Sequence, residues 1–90
     1  MSLKIEKVEA LTVGTTAQDV NVGYRSFLIA NNSANSVYFK EKAGAACTNA
    51  NGFLVPKATV LQHVFTADVL SVIASGASSD VRILFVDPCC

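Results

Sequence analysis

Alternation is the feature that most limits what this chain can become. Between residues 24 and 30, Phe27 and Ile29 fall on one side with Arg25, while Tyr24, Leu28 and Ala30 fall on the other with Ser26. That period of two belongs to an extended strand, not to a helix. Residues 69–74 set Val69, Ser71 and Ile73 against Leu70, Val72 and Ala74, and residues 81–86 set Val81, Ile83 and Phe85 against Arg82, Leu84 and Val86. Shorter β-branched or aromatic runs occupy residues 16–22, 37–40, 53–55 and 59–65. Residues 6–13 read as a further strand. A short helix competes there, because Ile5, Val8 and Leu11 are spaced three apart, but Thr12, Val13 and Gly14 would stop it early.

The punctuation between these runs is equally regular. Asn31-Asn32-Ser33-Ala34-Asn35-Ser36 is a string of side chains that bond their own backbone and tolerate left-handed geometry, so it is a turn. A hairpin joining its two flanking strands is expected. Gly23 marks a bend, Pro56 confines its strand to an edge or an end, and residues 43–52 form the longest loop. No helical period lasts long enough to supply a crossover between parallel strands. The expected fold is all-β: one domain over residues 1–90, a small jelly-roll-like β-sandwich or compact β-barrel of about seven or eight short strands. Phe27, Ile29, Val37, Phe39, Val72, Ile83 and Phe85 are its expected core.

Apolar residues make up 51% of the chain and charged residues only 16%. A domain of this size buries only about 60–65% of the surface its unfolded chain exposes, so some apolar side chains face outward, with a partner subunit as the natural cover. Seven basic residues balance seven acidic ones without clustering. Nothing here attracts a polyanion, so nucleic acid and anionic membranes are not expected partners. No window approaches the ~18 consecutive apolar residues of a membrane span. The mixed charges of residues 4–9 do not make a secretory signal, and synthesis in the cytoplasm is expected.

Residue types that carry chemistry are sparse. The single histidine, His63, falls inside the expected strand at residues 59–65 and has no triad around it in the sequence. A catalytic carboxylate pair would have to come from Asp19, Glu41, Asp68, Asp80 or Asp87, most of which sit at strand ends or turns, where acids ordinarily serve turns. The five glycines are isolated, which excludes a phosphate loop. Tyr24, Tyr38, Phe39, Phe53 and Phe65 could form an aromatic platform, although core packing accounts for them better without Lys and Arg beside them. Cys47, Cys89 and Cys90 could join His63 around zinc, but adjacent cysteines and the lack of a second close pair argue for free thiols dispensable for folding. No enzyme activity, cofactor or metal is expected. The candidate partner contacts are Asn31, Asn32 and Asn35 in the turn, and Cys47, Asn49 and Asn51 in the long loop.

The order of these segments resembles small structural proteins of bacteriophage and prophage particles. The resemblance rests on Leu11-Thr12-Val13-Gly14-Thr15-Thr16-Ala17, on residues 24–39 with their Asn-Asn-Ser turn before an aromatic strand, on Asn51-Gly52-Phe53-Leu54-Val55-Pro56, and on Ser79-Asp80-Val81-Arg82-Ile83-Leu84. It implies a β-sandwich located in the virion that decorates the capsid. It further implies a homo-oligomer, with a trimer as one form, in contact with virion proteins such as the major capsid protein. A head–tail or fibre adaptor and a carbohydrate- or receptor-binding module are the alternatives. The Pro88-Cys89-Cys90 terminus has no counterpart in the resemblance.

Overall fold

The computed structural model describes residues 2–42, 45–61 and 63–89, without the side chains of residues 2, 3 and 87–89. Within them the chain forms nine strands: β1 (Ser2–Val13), β2 (Gln18–Asn21), β3 (Ser26–Asn31), β4 (Val37–Glu41), β5 (Phe53–Val55), β6 (Thr59–Val60), β7 (Phe65–Thr66), β8 (Val69–Ala74) and β9 (Ser79–Cys89). One antiparallel sheet has the order β1-β9-β3-β6, with β7 also on β3, and the other has the order β2-β8-β4-β5. Chain order and spatial order together make this a jelly roll. Successive strands change sheets except at β4–β5 and at β6–β7, and β6 with β7 stands for one interrupted strand.

Alternation produces the interior as expected. Phe27, Ile29, Ile83 and Phe85 of the first sheet and Val37, Phe39 and Val72 of the second are all buried in one hydrophobic cluster. Aromatic rings tie the two layers together: Phe65 of β7 lies 5.3 Å from Phe39 of β4, edge to face, and 6.0 Å from Phe27 of β3. Such tilted arrangements satisfy ring quadrupoles better than a flat stack.

Three expectations need correction. The turn at residues 31–36 does not close a hairpin, because both edges of β3 are taken by β9 and by β6 with β7, and β4 pairs β8 and β5 in the opposite sheet. Residues 59–65 are not one strand: Val60 faces Ala30 and Phe65 faces Phe27, so the segment is two residues longer than the β3 stretch it spans. Between β6 and β7, His63 and Val64 are exposed to solvent. The first and last strands also reach beyond residues 6–13 and 81–86. β3 meets β9 only from Val81 to Phe85, so Ser2–Ile5 and Val86–Cys89 continue as a two-stranded ribbon. The expected edge position before Pro56 holds, since β5 is the outer strand of its sheet.

Between β2 and β3 a tight turn places Gly23 at φ 63 and Tyr24 at φ 62, closed by Arg25 N–H on Val22 O at 3.4 Å. A side chain in this left-handed region costs about 1–2 kcal/mol, and Tyr24 is 70% exposed, leaving little burial to offset it. Tyr24→Gly is therefore expected to raise stability by about 1 kcal/mol in urea unfolding; a loss would mean that the tyrosine ring holds the turn.

Candidate functional site

The registers put four connections at one end of the sandwich. Val13 faces Ser79, Asn31 faces both Val81 and Thr59, and Val37 faces both Ala74 and Val55, so the loops β1–β2, β3–β4, β5–β6 and β8–β9 emerge together. Local polar residues knit them. Asn32 donates to Asp80 at 3.1 Å, Asn35 donates to Ser79 Oγ at 2.9 Å, and Ser36 and Ser75 exchange bonds of 3.0 and 2.9 Å.

Asn31 lies beneath these loops, at 2% exposure. Its amide nitrogen is surrounded by the carbonyl oxygens of Asn35, Val55 and Pro56 at 2.7, 3.1 and 3.1 Å, and its amide oxygen accepts the Ser33 hydroxyl at 2.6 Å. One side chain therefore holds the β3–β4 connection to the end of β5. This use within the fold takes Asn31 out of the residues able to touch a partner.

Residues 45–52, before β5, lie over the outer face of the β2-β8-β4-β5 sheet. Cys47 is buried there, with its backbone N–H on Ser71 Oγ at 2.8 Å. A β-carbon on Gly52 would meet Cys47 Sγ and stand 2.7 Å from Tyr38 Cβ, so only glycine lets the loop lie this close. Cys47 is thus another candidate that serves the fold and not a contact. Burial raises its thiol pKa, and the Lys40 ammonium opposes that only partly. The folded chain therefore favours the protonated thiol, and this group's contribution to stability declines as pH rises past the ordinary thiol value. Thiol-reactive probes are expected to label Cys47 only on unfolding once Cys89 and Cys90 are replaced by Ser; labelling of the folded chain at the rate of a free thiol would contradict the burial.

Asn49 and Asn51 remain exposed. Asn51 braces the loop by accepting the Thr48 N–H at 2.6 Å, whereas Asn49 joins Thr15, Thr48, Ile73, Ala74 and Ser75 around a groove of about 350 Å³. A second, more open depression is lined by Asn32, Ser33, Ala34, Lys57 and Ala58. The fold thus brings Asn32, Asn35 and Asn49 to the same end, which sequence separation alone does not reveal.

The chain matches no known family model, no curated protein and no solved structure. The site must be read from its own groups. Its rim offers amides, hydroxyls and one ammonium, a set suited to hydrogen-bonding a protein or sugar surface. Among the described residues, no three His, Cys, Asp or Glu side chains come together and no buried side-chain nitrogen or oxygen lacks a partner. His63 is on the side edge, its ring 6.4 Å from Phe65. The zinc combination with Cys89 and Cys90 lies partly outside the described residues. Of the aromatic candidates, Phe39 is buried, Tyr38 and Phe65 are half-buried, Tyr24 is exposed in the β2–β3 turn, and Phe53 is exposed on β5, where its ring lies 5.6 Å from Phe39 and 6.0 Å from Phe65.

Proposed function

We propose that this chain is a non-enzymatic structural protein of a bacteriophage particle, a capsid-decorating component that self-associates and binds the shell through protein–protein contacts. The observation that carries the proposal is the jelly-roll strand order, an architecture shared by many capsid and lectin domains. The balanced charge and the polar, rigidly braced loop end support a role in surface contact, because binding loops on a stiff scaffold lose little entropy when they dock. Asn32 and Asn49 are the contact residues of this reading, and Asn35 belongs to the same end of the sandwich.

A carbohydrate-binding module is the second reading, favoured by the amide and hydroxyl rim around the groove at Asn49. Purified particles separate the two. The protein is expected to cosediment with particles that lack their own copy, and Asn32→Arg with Asn49→Arg is expected to reduce that binding about tenfold or more while unfolding stability changes by no more than about 0.5 kcal/mol. Binding to immobilised glycans without affinity for particles would favour the module.

A further inference from the structure

β1 is the outermost strand of its sheet, and its edge away from β9 has no partner strand among the described residues. None of the side chains from Lys4 to Ala10 is buried, and the two large apolar ones, Ile5 and Val8, are 57% and 49% exposed. An edge of this length is a template for another strand unless something deters it. Residues 4–9 read Lys-Ile-Glu-Lys-Val-Glu. Laid antiparallel on a second copy, about a two-fold axis between Glu6 and Lys7, the segment meets itself with Lys4 opposite Glu9, Ile5 opposite Val8 and Glu6 opposite Lys7. Sliding one copy by two positions either way sets Lys4 against Lys7 or Glu6 against Glu9.

Directly opposed residues of an antiparallel ladder point to the same face, whereas residues three apart on a regular strand point to opposite faces. A β-bulge at Glu6 removes this conflict. Ile5 stands opposite Val86 and Val8 opposite Leu84, two apart on β9, so both apolar side chains share one face. Lys4, Lys7 and Glu9, opposite Asp87, Phe85 and Ile83, share the other.

We propose that two copies of this chain join through their β1 edges in this register, fusing their two β9-containing sheets into one. Charges that would deter a foreign strand then select an identical one, and the isologous contact closes at two copies. The inference deepens the self-association in the proposed function by naming its surface.

Sedimentation of the full chain from micromolar to millimolar concentration is expected to show a monomer–dimer equilibrium. Lys4→Glu alone and Glu9→Lys alone are each expected to weaken it about tenfold or more, since each reverses two symmetry-related pairs. Mixing the two variants restores opposite signs at both positions and is expected to restore the dimer, an outcome that altered folding of either chain would not produce. With Cys89 and Cys90 replaced by Ser and the buried Cys47 kept, oxidation is expected to cross-link Ile5→Cys chains with Val8→Cys chains, and neither with itself. A monomer at every concentration, self-association indifferent to both charge reversals, or cross-linking of Ile5→Cys chains with one another would overturn the proposal. A charge-indifferent trimer that still binds particles would leave the proposed function standing, and a monomer that binds them would leave only its shell-binding half; a dimer of this geometry without affinity for particles would overturn that function and leave the edge contact standing.

Discussion

Phe27→Ala is expected to lower the free energy of unfolding by about 3–5 kcal/mol, and Phe85→Ala by a similar amount. The two rings are 1% and 3% exposed and stand opposite each other in the β3–β9 ladder. Phe27 also packs 6.0 Å from Phe65, the ring that reaches across to Phe39. Removing Phe27 opens a cavity between two sheets held apart by their own backbones, so the layers cannot collapse into it. Against a total stability of about 5–15 kcal/mol for a domain of this kind, either change should visibly lower the urea midpoint. A loss below about 1 kcal/mol at both positions would mean that the inward faces are wrong.

Asn31→Ala should be nearly as damaging, at about 2–4 kcal/mol, despite changing a polar residue next to a turn. It deletes the donor shared by the carbonyls of Asn35, Val55 and Pro56, and each buried group left without a partner costs about 1–3 kcal/mol. Asn31→Asp tests the same geometry through pH. A carboxylate facing three carbonyl oxygens is repelled by them, so the folded state favours its protonated form and raises its pKa. Stability of this variant should therefore fall as pH climbs through the ordinary carboxyl range and recover in acid, relative to the parent chain. An Asp variant as stable as the parent at neutral pH would rule out the clamp.

The sequence is informative where one side chain's face decides the outcome. Phe27 with Ile29, Val37 with Phe39, and Ile83 with Phe85 are readable as inward pairs because alternation is a local property and burial follows it. Which sheet a strand joins is not local: nothing in residues 31–36 distinguishes a hairpin from a passage between sheets. The interruption between β6 and β7 escapes for a related reason, since two extra residues preserve the alternation on either side of them. Asn31 and Cys47 look like loop residues from composition, yet the carbonyls of Val55 and Pro56 hold the one and the Ser71 hydroxyl the other, all far along the chain. Conversely, Asn32 and Asn49 are legible as exposed polar residues, while their meeting at one end follows from where residues 45–52 lie on the sheet.

The place of β9 has a consequence for how the chain acquires its shape. Strand β9 lies between β1 and β3 and is the only neighbour of β1 among the described residues, so during synthesis β1 must wait, unpaired, until residues 79–89 have left the ribosome. Loop closure over that span precedes any reward from pairing, which makes folding slow compared with a protein of local contacts. A truncated product ending before Ser79 would expose the inward faces of β1 and β3 together, and it is this species, not the finished sandwich, that is the more prone to aggregate.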